Sequence, residues 1–131
     1  MDELILRDYQ EELSTKAAEI VMEHNIVLLS AEVRTGKTIM ALETIKKIWA
    51  KKALFLTKKI AIKGINNDCT FYKQDFDIIV TNYESQHKID TDDFDIIVLD
   101  ESHKLWTFPK PNNIYKAVKK RFWHLPMILL S

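Results

Sequence analysis

Residues 26–38 read IVLLSAEVRTGKT, and this stretch decides the fold class. Its first four residues are wholly apolar, which is typical of a buried strand in a parallel sheet. Residues 31–38 fit the phosphate-loop pattern G-x-x-x-x-G-K-[ST], with Ala31 in the place of the first glycine. Apolar residues at helical spacing from Thr38 to Trp49 then predict a helix. A loop between a strand and a helix is the context in which this pattern binds phosphate.

The residue types of the loop match the chemistry of phosphate binding. Successive backbone N–H groups would point at phosphate oxygens, and Gly36 would allow the backbone to approach them closely. Lys37 would reach the β- and γ-phosphates, and the hydroxyl of Thr38 would help to hold magnesium. The predicted nucleotide-binding residues of the loop are Val33, Arg34, Thr35, Gly36, Lys37 and Thr38.

A second motif lies downstream, in residues 96–103, which read IIVLDESH. Four apolar residues predict another buried strand, and Asp100 and Glu101 follow at its end. Asp100 is predicted to bind magnesium through water, and Glu101 to orient and deprotonate the attacking water. An ordinary acidic turn after a strand is the alternative. With the phosphate loop, this motif predicts a nucleoside triphosphate and Mg²⁺ as ligands.

Composition predicts one ordinary globular domain, because 131 residues suffice for a single core. Lys+Arg and Asp+Glu both number 19, so a nucleic-acid surface would have to be local. The single cysteine, Cys69, excludes an internal disulfide and fits a reducing compartment. No apolar run approaches the roughly 20 residues of a membrane span, and the acidic residues 1–3 argue against a secretory signal. We therefore expect a cytoplasmic protein that does not contact membranes.

The remaining pattern alternates strands with helices, which predicts an α/β fold of three layers around a mostly parallel sheet. The hexapeptide DFDIIV occurs twice, and we interpret the two copies as buried strands entered by similar acidic turns. Beyond the elements already described, helices are predicted at 7–21 and 111–122, and strands at 53–57, 75–80 and 127–130. The second copy of the hexapeptide, at 93–98, belongs to the strand that precedes the acidic motif.

These motifs, in this order, resemble those of the first RecA-like domain of a superfamily 2 helicase, nearest the Swi/Snf-like and phage-type or viral DExH ATPases. The resemblance covers nearly the whole chain and implies one N-terminal RecA-like ATP-binding domain over residues 1–131. Residues 100–103 match the DExH signature, which implies that His103 couples the nucleotide site to nucleic acid. Ser131 looks like the start of motif III, a further coupling element. The strand before it would then insert between the phosphate-loop strand and the acidic-motif strand.

The resemblance also implies an adenine site and a nucleic-acid site. Residues 6–10, LRDYQ, resemble the adenine-recognition motif, in which Gln10 would read the adenine edge with Arg7 beside it. Residues 56–59 fall where the family contacts the nucleic-acid backbone, although the usual proline is missing. Residues 80–85 resemble the next strand-end motif, with a capped helix start as the alternative. The implied nucleic-acid contacts are Thr57, Lys58, Thr81, Asn82 and Tyr83.

A second RecA-like domain, in the full-length protein or in trans, is implied as a partner, because in the family it supplies the arginine fingers. Such a finger contributes roughly 10³–10⁵ in rate. We therefore expect the chain alone to bind ATP weakly and to hydrolyse it very slowly. The sequence indicates an excised fragment, a truncated gene product or half of a split motor, without distinguishing them.

Three functions fit these motifs. The first is the N-terminal motor domain of a nucleic-acid-dependent ATPase (helicase or translocase), with DNA favoured over RNA. The second is a catalytically inactive nucleic-acid-binding or regulatory module derived from such a motor. The third is a small P-loop kinase, against which a water-activating Glu101 and the lack of an arginine-rich lid both argue.

Overall fold

The chain folds into alternating helices and strands, and apart from the helix at Ile62–Tyr72 their order is the one that the sequence pattern predicts. The computed structural model describes residues 8–29, 36–100 and 113–130. The helices of these ranges are α1 (Asp8–His24), α2 (Lys37–Lys47), α3 (Ile62–Tyr72) and α4 (Asn113–Phe122), with short 3-10 helices at Lys59–Ala61, Tyr83–Lys88 and Thr91–Asp93. The strands are β1 (Ile26–Leu29), β2 (Lys52–Thr57), β3 (Asp77–Asn82), β4 (Ile96–Leu99) and β5 (Met127–Leu130).

The five strands form one sheet in the order β1-β5-β4-β2-β3, and every pair of neighbours is parallel. β5 lies between β1 and β4, with Ile128 beside Val27 on one side and Val98 on the other. This confirms the predicted insertion of the last strand. The middle position of the sheet belongs to β4, and β5 is the inner strand next to it.

Helices pack on both faces of the sheet through apolar side chains, so the fold has three layers: helices, sheet and helix. On one face, α1, α2 and α3 pack on alternate residues of the strands, among them the fully buried Phe55 and Ile128. On the other face, α4 packs through Val118 and Phe122 on the intervening residues. Because parallel strands are buried on both sides, β4 and β5 are apolar throughout. The predicted three-layer α/β fold is confirmed, and the sheet is parallel throughout the described residues.

The repeated hexapeptide has a structural explanation. Its two copies lead into β3 and β4, which are the two neighbours of β2. Both copies pair with β2 in the same register, so that Ile78 and Ile96 lie on opposite sides of Ala53. Phe76 and Phe94, which precede the two strands, are both buried. The repeat therefore reflects two strands that pair with the same partner in the same register. β4 is buried as predicted, whereas the prediction of a buried strand is wrong for β3, an edge strand in which no residue is buried.

One helix, α1, ends at a different residue than predicted, and another, α3, was not predicted. α1 continues to His24, beyond the predicted end at Val21, and ends where Asn25 adopts a positive φ of 66°. Asparagine accepts this left-handed conformation more readily than most residues, so it can close a helix. Among the described residues, no helix is both long enough and apolar enough to cross a bilayer.

The second difference is α3, which was not predicted. It contains Gly64 and several Asn, Asp and Thr residues, all poor helix formers. Ile65 and Cys69, one turn apart, bury this helix against the sheet, so tertiary packing outweighs local propensity. Burial, followed by the charge of Asp68, raises the pKa of the Cys69 thiol to about 11, so the thiol is protonated at neutral pH.

Candidate nucleotide and nucleic-acid site

The polar residues that the sequence singles out meet at one edge of the sheet, where the parallel strands end. Thr57 ends β2, Asn82 ends β3, and Asp100 follows β4. Leu99 lies beside Leu129, and Leu130 lies beside Leu29, so Asp100 is level with the last residue of β1. Two strand spacings, about 10 Å, separate Asp100 from the last residue of β1. This is the edge at which open α/β sheets bind ligands.

Asp100 is held at three points. Its backbone N–H donates to the Leu56 carbonyl oxygen at 2.8 Å, which continues the β2–β4 ladder. The Thr57 hydroxyl donates to carboxylate oxygen Oδ2 at 2.7 Å, and the Tyr83 hydroxyl donates to the backbone oxygen of Asp100 at 2.5 Å. Asp100 itself is only 8% exposed. The carboxylate therefore has a fixed position at the sheet edge.

The start of α2 offers backbone donors to an anion. Gly36 precedes the helix with φ 73° and ψ 42°, a left-handed conformation that glycine adopts without strain. No side chain caps this end with a hydrogen bond in the described residues. The first N–H groups of a helix have no partner within it, and they carry partial positive charge. Lys37 and Thr38, both half-buried, stand in this first turn.

Gln10 lies against the same glycine. Its side chain is buried in α1, and a Cβ atom added at Gly36 would collide with its Nε2 atom. α1 and α2 pack together, and Lys47 at the far end of α2 donates to Glu11 at 2.6 Å. The structure therefore brings the residue predicted to read adenine next to the phosphate-loop glycine, although 26 positions separate them in the chain.

The predicted nucleic-acid residues divide into exposed and buried ones. Lys58 and Lys59 are exposed at the end of β2. With residues 82–85 they line an open groove of about 480 Å³. Asn82 accepts a hydrogen bond from the Ser85 backbone at 2.8 Å, which is the capped helix start considered as the alternative. Thr81 is half-buried in β3.

Thr57 requires a correction. It was predicted to contact the nucleic-acid backbone, but it has no exposed surface, and its hydroxyl is used by Asp100. A residue without exposed surface cannot contact a strand that binds at the edge. Tyr83 is also buried, with only 7% of its surface exposed, although it lines the groove.

Arg121 supports this site from α4, although no sequence motif includes it. From α4 it donates to the backbone oxygen and Oε1 of Gln86, the latter at 3.0 Å, and to the Ile89 carbonyl oxygen at 2.5 Å. These contacts fasten the 3-10 helix that begins at Tyr83. The neighbouring Lys120 is exposed, whereas Arg121 is half-buried. This difference in burial distinguishes Arg121 from Lys120, and it depends on the fold.

Several predicted site residues lie outside the described residues. These are Arg7, Val33, Arg34, Thr35, Glu101, His103 and Ser131. Their roles remain predictions.

Comparison with known proteins agrees with this architecture. Residues 3–65, just under half of the chain, match the family described as "Type III restriction enzyme, res subunit". Among solved structures, the chain is similar to a nuclease-deletion mutant of the Type ISP restriction-modification enzyme LlaGI in complex with a DNA substrate mimic. That match has a TM-score of 0.71 at 16% identity and covers 98% of this chain but 17% of the other. No curated protein matches.

The structural match shows the fold, which is RecA-like. Together with the family match over the phosphate-loop half of the chain, it supports a helicase-like motor domain. The chain spans about a sixth of the length of the similar structure.

Proposed function

We propose that this chain is the ATP-binding first motor domain of a nucleic-acid-dependent ATPase, a helicase or a translocase. The observation that carries the proposal is that Gln10 lies against Gly36 at the start of α2, while Thr57 holds Asp100 at the carboxyl ends of the strands of the same parallel sheet. These three features supply a group for the base, donors for the phosphates and a carboxylate for the metal. The edge combines all three kinds of contact that a magnesium nucleotide needs.

The residues present fit ATP and Mg²⁺. Lys37 and the backbone donors of the first turn of α2 would bind phosphate, and Thr38 and Asp100 would hold magnesium, in part through water. Magnesium, when bound, neutralises charge on the phosphates. Gln10 would read adenine, and Glu101 would hold and deprotonate the attacking water. Asp100 fits this role because its carboxylate is already held at the strand end by Thr57.

The nucleic-acid part of the proposal rests on the groove lined by Lys58, Lys59 and residues 82–85, at the same edge of the sheet as the proposed nucleotide site. Lys58 and Lys59 supply two positive charges there against the single carboxylate of Glu84, and Asn82 and Ser85 supply polar groups. Lysine and polar side chains of this kind contact phosphate backbones. DNA is favoured over RNA because the similar LlaGI structure contains a DNA substrate mimic. In our proposal a second RecA-like domain, in the same protein or in trans, completes the nucleotide cleft.

The product of the reaction tests this function. We expect labelled ATP with Mg²⁺ to release free phosphate at a very low rate, because the second domain would supply the arginine fingers, worth roughly 10³–10⁵ in rate. Thin-layer separation of the products identifies the labelled species. A phosphorylated small-molecule acceptor would instead identify a P-loop kinase. DNA binding without any ATP binding would favour an inactive nucleic-acid-binding module.

The groove makes a separate prediction. Replacing Lys58 and Lys59 together by alanine should weaken binding of a single-stranded oligodeoxythymidine and reduce the slope of log affinity against log salt by about 1.4, because two phosphate contacts are lost. Fluorescence anisotropy at several salt concentrations measures both quantities.

The double variant Lys46→Ala with Lys51→Ala is the matched control, since it also removes two exposed lysines, which lie at the end of α2 and just before β2, at the opposite edge of the sheet. An equal loss of affinity in the control would show that the groove is not the binding surface. Tighter binding of oligouridine than of oligodeoxythymidine would reverse the preference for DNA.

A further inference from the structure

We propose that Thr57 and Tyr83 are positioning residues for Asp100, and that their hydroxyl groups set the geometry of its carboxylate for the magnesium nucleotide. This inference rests on the proposed function, since it concerns the same metal-binding carboxylate. It replaces the direct contact with nucleic acid that the sequence suggested for Thr57. It also gives Tyr83 a role besides lining the groove.

Thr57 fixes the orientation of the carboxylate. Its hydroxyl lies 2.7 Å from Oδ2 of Asp100, and the two residues, 43 positions apart, lie side by side at the ends of β2 and β4. Thr57 is fully buried, so water does not compete for this hydrogen bond. A hydrogen bond to a charged acceptor is stronger than one between neutral groups. The carboxylate therefore keeps one rotamer, with Oδ2 turned toward β2.

Tyr83 fixes the backbone at the same residue. Its hydroxyl donates at 2.5 Å to the carbonyl oxygen of Asp100, which belongs to the peptide bond leading to Glu101. The contact is buried, and it ties the end of β4 to the 3-10 helix that follows β3. One hydroxyl thus holds the side chain of Asp100, and another holds the peptide unit between the two acidic residues.

Arg121 supports the segment that carries Tyr83. It bonds to Gln86 and Ile89 at the far end of that segment, while Asn82 caps its start. Tyr83 therefore stands in a turn fastened at both ends. The same turn lines the groove beside Lys58 and Lys59, so Tyr83 is shared by the groove and by the support of Asp100.

The test removes each hydroxyl and measures how much Mg²⁺ improves ATP affinity. Calorimetric titration with ATP, in Mg²⁺ and in EDTA, separates metal-dependent binding from the rest. We expect Thr57→Val and Tyr83→Phe each to reduce the improvement by Mg²⁺ about 10-fold and to leave affinity in EDTA unchanged, because each loses one hydrogen bond to Asp100. Thr57→Ser keeps a hydroxyl and should restore most of the improvement.

The chain offers a matched control for each change. Thr44→Val removes a fully buried hydroxyl that donates to the Met40 carbonyl oxygen at 2.7 Å, away from Asp100. Tyr72→Phe removes a partly buried hydroxyl that donates to Glu43. Both controls should retain the full effect of Mg²⁺. Thermal unfolding of all variants verifies that each remains folded.

Three outcomes would overturn the inference. The first is an unchanged effect of Mg²⁺ in folded Thr57→Val and Tyr83→Phe, and the second is an equal loss in the two controls. The third is failure of Thr57→Ser to restore the effect. In all three the proposed function stands, provided that the wild-type chain binds magnesium ATP and Lys37→Ala binds it more weakly. Absence of such binding in the wild-type chain would reject the proposed function, and this inference with it.

Discussion

A chain shortened to residues 1–126 will not fold cooperatively, because it lacks the strand that joins the two parts of the site. β5 hydrogen-bonds to β1 on one side and to β4 on the other, so its loss separates the phosphate-loop strand from the acidic-motif strand. All four residues of β5 are buried. Truncating one buried aliphatic side chain costs about 2–5 kcal/mol, and a whole domain has about 5–15 kcal/mol of stability. The free energy lost with the whole strand therefore exceeds the stability of the folded domain.

Circular dichroism during urea unfolding measures this effect. A single substitution, Ile128→Ala, should lower the free energy of unfolding by about 2–5 kcal/mol, because Ile128 is fully buried. The matched control is Leu28→Ala in the edge strand β1, where the side chain is 58% exposed. Its effect should be much smaller. A cooperative transition of unchanged midpoint in the shortened chain would contradict the central role of β5.

Replacing Lys37 by alanine should weaken binding of magnesium ATP by about 10- to 150-fold. The estimate corresponds to one hydrogen bond between charged groups, about 1.5–3 kcal/mol. Lys37 begins α2 directly after Gly36, where its charge adds to that of the helix start. Titration with a fluorescent ATP analogue measures the affinity.

Lys46→Ala is the control for this change. Lys46 is an exposed lysine in the last turn of the same helix, so the change in net charge is equal and only the position differs. Binding that weakens equally in both variants would reflect net charge alone. It would remove the argument for a phosphate loop at Gly36 and Lys37.

Local sequence signals were sufficient for the order of the elements other than α3. The apolar runs of β4 and β5 coincide with their predicted strands, since strands buried on both faces must be apolar throughout. β1 has the predicted bounds, but it is an edge strand in which Ile26 and Leu28 are exposed, so the prediction that it is a buried strand is wrong for one of its faces. The place of β5 between β1 and β4 could not be derived from periodicity, and it came from the resemblance to superfamily 2 helicases. α3 was missed because its residues are poor helix formers, and only its packing on the sheet determines its conformation.

Site residues could be predicted where a single motif indicates a single role. They could not be predicted where residues far apart in the sequence act together. Asp100 at a strand end follows from the apolar run before it. The bonds from Thr57 and Tyr83 to Asp100 join residues 43 and 17 positions apart, and they depend on strand register. Arg121 reaches Gln86 across 35 positions. A Thr or Tyr after a strand resembles a surface residue until the neighbouring strand is known.

The most direct measurement is a calorimetric titration of the 131-residue chain with ATP, first in Mg²⁺ and then in EDTA. The central claim is that Gln10, the start of α2 and Asp100 form one magnesium-nucleotide site. It predicts weak, saturable binding with one ATP per chain, and lower affinity when the metal is removed. A folded sample that gives only the heat of dilution in both buffers would contradict the claim.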